Sequence, residues 1–267
     1  MRNKTKLLGI LNLTSDSFSD GGKFINFDNA KARVDRMIDD GCNYIDIGAE
    51  STKPGYSDVS DEIQINRILP IIDYIQSLDK KIDISIDTRS SIVAEKCLIS
   101  GARIINDVSG AMHDLKMLKI INKYDSEIIL GHLPEEHKNN ASIQTSDILS
   151  TLTNYFDALI LKAESSGIER KKLIIDPCIC FGKTGNDNVK ILKNLDYFVD
   201  RYDRVCIGIS KKRFSSELFK NIHDNELNII SSAISSYLSY IGVEFIRVHD
   251  IEPNHDAVEV SWKTYTS

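Results

Sequence analysis

Short apolar, β-branched runs recur along the 267-residue chain, separated by longer stretches of different period. The runs are LLGILNL (7–13), YIDIGA (44–49), DISIDT (83–88), RIINDV (103–108), EIILGH (127–132), KLIIDPC (172–178), RVCIGIS (204–210) and FIRVHD (245–250). Strands this continuously hydrophobic must be covered on both faces, as they are in a parallel sheet flanked by helices. Between them apolar residues fall at helical spacing. NAKARVDRMIDDG ends in Gly41, and EIQINRILPIIDYIQSL keeps Ile65, Ile68, Leu69, Ile72 and Ile75 on one stripe. Pro70 lies inside the second helix and predicts a kink. An eightfold alternation of strand and helix, without a compositional break or linker, predicts class α/β and a single (β/α)8 TIM barrel over residues 1–267.

The polar residues sharpen that picture. Asn12, Asp46, Asp87, Asn106 with Asp107, His132, Asp176, Ser210, and Arg247 with His249 stand at or near the C-terminal ends of the runs. In a barrel those ends share one mouth. An isolated Asp or Asn after a strand is ordinarily a helix cap or turn residue. Caps have no use for Lys, Arg or His, whereas a site for a charged, hydrogen-bonding ligand does. For Arg247 the competing role is a surface ion pair with Asp250.

The first strand run is followed by NLTSDSFSDGG (12–22), longer and richer in hydroxyls than a strand-to-helix link needs. Gly21 and Gly22 would free it to move. With 42% hydrophobic and 27% charged residues the chain reads as soluble and globular, and its formal net charge of −6 argues against nucleic acid as a partner. Five cysteines without framework spacing suggest reduced thiols and a cytoplasmic location. No apolar run approaches the roughly 20 residues of a membrane span, and MRNKTKLLGI leads straight into a strand rather than reading as a signal sequence.

GILNLTSDSFSDGG (9–22), DIGAESTKPG (46–55), SIDT (85–88), GARIINDVSG (101–110), DPCICFGKT (176–184), SKKRF (210–214) and RVHD (247–250), in that order, resemble the dihydropteroate synthase family over nearly the whole chain. The resemblance implies a transferase of folate biosynthesis and a sulfonamide target. Its substrates would be 6-hydroxymethyl-7,8-dihydropterin diphosphate and p-aminobenzoate, with pyrophosphate released. It implies a pterin site of Asp87, Asn106, Asp176 and Lys212, and a pyrophosphate site of Asn12, Thr52, Lys53, Arg247 and His249. A p-aminobenzoate site would comprise Phe18, Thr52, Pro54, Phe181, Ser210 and Lys212, and Asp87, Lys212 and Arg247 would act in catalysis. The loops bearing Ser15-Asp16-Ser17-Phe18 and Ser51-Thr52-Lys53-Pro54-Gly55 would close over bound pyrophosphate and exclude water. Mg²⁺ would be held mainly by substrate oxygens and water, with Asn12 as its protein ligand. The family's usual homodimer would form through the last third of the chain, where NIISSAISSYLSYIG (228–242) is a candidate contact helix.

Some residues depart from the family pattern. Lys53 and Lys211 replace arginines, keeping charge without the planar fork. GHLPEEHKNNASIQ retains His132 but matches the family's fifth-strand segment only loosely. Cys178 and Cys180 replace glycines; if the chain stays extended after the sixth strand, Asp176 and both thiols share a face and fill space beside the pterin. A methyltetrahydrofolate-type methyltransferase barrel and a non-catalytic pterin-binding paralogue share parts of this pattern.

Overall fold

The structure, a computed structural model, describes residues 4–13, 23–210, 212 and 226–265. Its strands are β1 (Lys6–Asn12), β2 (Tyr44–Gly48), β3 (Asp83–Asp87), β4 (Ile104–Asp107), β5 (Glu127–Gly131), β6 (Leu173–Asp176), β7 (Cys206–Gly208) and β8 (Phe245–Val248). Every pairing is parallel, in the order β6-β5-β4-β3-β2-β1-β8-β7. The ring is completed by one parallel bridge, Ile175 to Val205, where the Ile175 N–H donates to the Arg204 carbonyl at 3.0 Å.

The described helices are α1 (Lys23–Asp39), α2 (Asp61–Ser77), α3 (Ser91–Ile99), α4 (Met117–Lys123), α5 (Ile148–Ser165), α6 (Gly185–Lys193), α7 (Leu195–Tyr202), α8 (Leu227–Ile241) and α9 (Ile251–Tyr265). The side chains of Ser60, Ser90, Asp147 and Thr184 cap α2, α3, α5 and α6 by accepting first-turn N–H groups. In α2 the buried face is Gln64, Ile68, Ile71, Ile72 and Ile75, close to the expected stripe. The helix continues through Pro70 to Ser77. Pro70 and Asn66 are both exposed, so the carbonyl deprived of its N–H partner lies on the solvent side.

Strand side chains alternate, and here the two faces bury different cores. Leu7, Ile45, Ile47, Ile86, Ile105, Leu130, Ile175, Ile207 and Ile246 belong to the core beneath the helices. Leu8, Tyr44, Ile104, Ile129, Ile174, Cys206 and Phe245 form a second, separate cluster inside the barrel. At its N-terminal end the barrel is covered by ions: Arg204 donates to both Glu244 oxygens (2.7 and 2.9 Å) and pairs with Glu127 (2.7 Å), while Lys6 reaches Glu244 at 3.2 Å.

Candidate active site

Two residues beyond the inner apolar cluster, the same face turns polar on four of the strands. Tyr44 is followed by Asp46, Ile104 by Asn106, Ile174 by Asp176 and Phe245 by Arg247, all on the interior side by alternation. The apolar cluster is therefore a floor, and these groups stand on it, facing the mouth.

Arg247 links them. Its Nε donates to Asp46 Oδ2 and its Nη2 to Asp87 Oδ2, each at 2.7 Å, and Asn106 Nδ2 donates to the same Asp46 oxygen at 3.2 Å. The surface pair with Asp250 is thus overturned, since the interior alternation of β8 turns Arg247 inward; Asp250 instead lies 3.8 Å from Arg33. Asp46 is wholly buried, and its Oδ1 has no hydrogen-bond partner among the described residues; nor has Ser85 Oγ on the neighbouring register position. Burial lifts the Asp87 carboxyl to about 6; Arg247 opposes the lift and the Asp46 charge adds to it. Asp107, beside Asn106, accepts from the Ser109 N–H and hydroxyl and from the Ala111 N–H, and so serves the local turn.

Asp176 ends β6, buried, with Oδ1 accepting the Cys178 N–H at 2.7 Å. Burial raises its carboxyl above the ordinary range, countered by the Lys212 charge. Burial likewise lowers Lys212, and Asp176 opposes that change. Lys212 Nζ donates to the Ile179 carbonyl at 2.6 Å and sits 4.6 Å from the centre of the Phe181 ring. Ser210 Oγ accepts the His249 N–H (3.2 Å) and lies 3.1 Å from His249 Nδ1, to which its own hydrogen can be given.

The segment after β6 does not stay extended. Cys178 (φ 54°) and Cys180 (φ 70°) take left-handed backbone conformations, so period-two alternation ends at Asp176. Turning the chain this way brings the Cys178 and Phe181 carbonyls, with that of His132, around buried Lys183, whose Nζ donates to all three at 3.0–3.1 Å. Glycine suits these two positions because of φ, not because of space. Burial pushes the Cys178 thiol up to about 12, so it is protonated. His132, edge-on to Tyr155 with ring centres 4.7 Å apart, is held neutral by burial and by the Lys183 charge.

Thr52, Lys53 and Pro54 lie on the β2–α2 loop. The Thr52 carbonyl meets His137 Nε2 at 2.9 Å, and Lys53 and Pro54 line a cavity of about 870 Å³ with His137, Cys180 and Lys183. The far side of this loop is fastened through buried Arg89, which donates to Glu50 (2.6 and 3.0 Å), Tyr56 (3.1 Å) and Asp58 (3.2 Å). Asn12 is exposed at the end of β1, level with Gly48. Phe18, the rest of the first loop and Lys211 lie outside the described residues. The structure therefore brings together Asp87, Asn106 and Arg247 around Asp46, and Asp176 with Lys212 and Phe181; of the second-loop residues, Lys53 and Pro54 line the cavity shared with His137, Cys180 and Lys183. Asp46, Lys183 and His137 were given no role by sequence reasoning. Strand period placed Asp46 at the mouth, but only the bond pattern shows that it orients Arg247.

Residues 8–249 match the family model described as pterin binding enzyme. Dihydropteroate synthase of Staphylococcus haemolyticus is 37% identical over 252 residues, 94% of this chain and 91% of that protein. Dihydropteroate synthase of Bacillus subtilis is 34% identical over 94% of this chain and 85% of that protein. A Clostridium difficile dihydropteroate synthase structure obtained with pteroic acid superposes with a TM-score of 0.91 at 32% identity, covering 99% of this chain and 98% of that one. Floor, polar interior and ordered motifs thus coincide with a full-length likeness: the chain belongs to the pterin-binding enzymes and, among them, to the dihydropteroate synthases.

Proposed function

We propose that the chain condenses 6-hydroxymethyl-7,8-dihydropterin diphosphate with p-aminobenzoate to give dihydropteroate and pyrophosphate. The observation that carries this reading is the polar layer of Asp87, Asn106, Asp176 and Arg247 standing on an apolar barrel floor. A flat heterocycle can rest there with its edge hydrogen-bonded. The pterin's adjacent N–H groups match the Asp176 carboxylate as a pair, and a buried carboxylate needs such partners. Asp87 and Asn106 take the remaining edge, and Lys212 donates to ring acceptors. A relative from Xanthomonas albilineans, 28% identical with a TM-score of 0.87, was solved in complex with 7,8-dihydropteroate.

Arg247 clamps the diphosphate from the last strand with His249 beside it, while Thr52 and Lys53 approach from the second loop. The C–O bond to pyrophosphate breaks first, its electron pair leaving on the pyrophosphate oxygen. The cation is delocalised into the electron-rich dihydropterin; the arylamine nitrogen then forms the C–N bond and gives up a proton. No covalent enzyme nucleophile is needed, and the Cys178 thiol beside Asp176 stays protonated. The arylamine would lie against Phe181 and Pro54, with Phe18, Thr52, Ser210 and Lys212 around it.

Among the described residues no group of three or more His, Cys, Asp or Glu is arranged to hold an ion. Exposed Asn12 offers one neutral oxygen at the mouth, which fits Mg²⁺ carried largely by diphosphate oxygens and water. When bound, the ion would supply charge neutralisation of the leaving group.

Two copies would associate through α8 and α9, which expose Ile229, Tyr237, Tyr240, Val260 and Tyr265. Cysteines that form no disulfide among the described residues suit a reducing cytoplasm. Pyrophosphate release on mixing both substrates tests the activity; pterin binding without release would leave a binder instead. Sedimentation as a monomer at micromolar concentration would reject the dimer.

A further inference from the structure

His137 sits on a 3-10 turn (Glu135–Asn139) after β5, in a segment that matches the family only loosely, yet it is 6% exposed. Three contacts hold its ring. The Gly182 N–H donates to Nδ1 at 3.0 Å, Nε2 lies 2.9 Å from the Thr52 carbonyl, and the ring tilts at 40° against Phe181 with centres 4.8 Å apart. A backbone N–H can only donate, so Nδ1 is the acceptor, the hydrogen is on Nε2, and Nε2 donates to Thr52. One neutral tautomer satisfies both loops. The surrounding backbone makes the same join: the Gly55 N–H donates to the Lys138 carbonyl (3.0 Å), and the Ile143 N–H to the Gly182 carbonyl (2.9 Å).

We infer that His137 is a positioning residue for the arylamine, bracing the Thr52–Pro54 loop against the Phe181–Gly182 turn so that the two walls of the aryl site keep a fixed separation. This rests on the activity proposed above. Phe181 also carries Lys212 on its ring, so the brace extends from the second loop to a cation of the site. Asp176, Asn106 and Asp87 make none of these contacts, so the pterin edge that they hold is independent of the brace.

The test compares His137→Phe, which keeps a ring against Phe181 and loses both nitrogens, with His137→Gln, whose amide can accept from Gly182 and donate to Thr52. His137→Phe should raise KM for p-aminobenzoate about tenfold, the effect of a lost buried hydrogen bond or two, while the affinity for a pterin lacking the diphosphate changes by less than about twofold. His137→Gln should recover most of the loss. Amide exchange without substrates should quicken at residues 52–56 and at Gly182 in His137→Phe, and less so in His137→Gln. Unchanged exchange and KM in His137→Phe, or no recovery in His137→Gln, overturns the brace. Absence of turnover in the unaltered protein would instead reject the activity, and the exchange comparison would still decide whether His137 joins the loops.

Discussion

Arg247 and Asp87 meet across the barrel interior, the Arg247 Nη2 donating to Asp87 Oδ2 at 2.7 Å although β1 and β2 intervene between their strands. The same guanidinium holds Asp46. Arg247→Met would leave two buried or half-buried carboxylates without their cation, at a cost of about 3–5 kcal/mol. Arg247→Lys should lose less, because it keeps the charge but cannot span both acids. Urea unfolding that finds Arg247→Met as stable as the parent would show that the pair does not hold the interior.

A pH dependence follows for Asp87. Its folded value, lifted to about 6, lies above its unfolded value, so the folded state favours the protonated form. The resulting stabilisation is complete below the unfolded value and is lost as pH rises to about 6. Accepting a pterin N–H needs the carboxylate, so kcat/KM should climb through pH 6 as stability from this group declines. Residual turnover of Asp87→Asn should lack that limb; an unchanged acid limb assigns it to another group.

The two left-handed cysteines make different predictions. A non-glycine residue in that region costs on the order of 1–2 kcal/mol. Cys180 is half-buried, so Cys180→Gly should relieve strain with little loss of packing and stabilise the fold by about 1 kcal/mol, less any glycine entropy. Cys178 is buried, and Cys178→Gly sacrifices packed volume, so its net effect should be close to zero. Equilibrium denaturation of the two single variants checks the order; a destabilised Cys180→Gly contradicts it.

Lys183 should show a basic window. Burial lowers its ammonium from 10.5 to about 8, so the unfolded chain binds the proton more tightly between those values. Its contribution to stability therefore rises with pH across that window and is least favourable below it. Lys183→Met should abolish this slope relative to the parent. It should also cost about 2–4 kcal/mol at neutral pH, because three carbonyls lose their shared donor. Superimposable stability–pH curves for parent and variant would refute this.

The barrel was readable because both of its periods are written in composition: strands covered on two faces are continuously apolar, and the residue two places past inner Tyr44, Ile104, Ile174 and Phe245 is polar. That was enough to put Asp87, Asn106, Asp176 and Arg247 at one mouth. Partner choice was not readable. Arg247 stands three residues from Asp250 in the chain, yet its partners come from strands 201 and 160 residues away. Nor does a Cys for Gly replacement reveal its backbone angle, since a thiol in the left-handed region and one in an extended strand are the same letter. His137 gave no signal because its function is defined by two carbonyl and amide groups on other loops, which any sequence could supply.

The single bridge between Ile175 and Val205 makes the β6–β7 junction the most thinly stitched seam of the ring. Separating it breaks fewer main-chain bonds than separating any laddered pair, so a local opening there costs the fewest hydrogen bonds. The strand on one side ends in Asp176 and the strand on the other leads to Ser210 and Lys212. A small opening would therefore part the edge proposed to grip the heterocycle from the edge proposed to meet the arylamine, leaving the ladders from β7 through β8 and β1 to β6 intact.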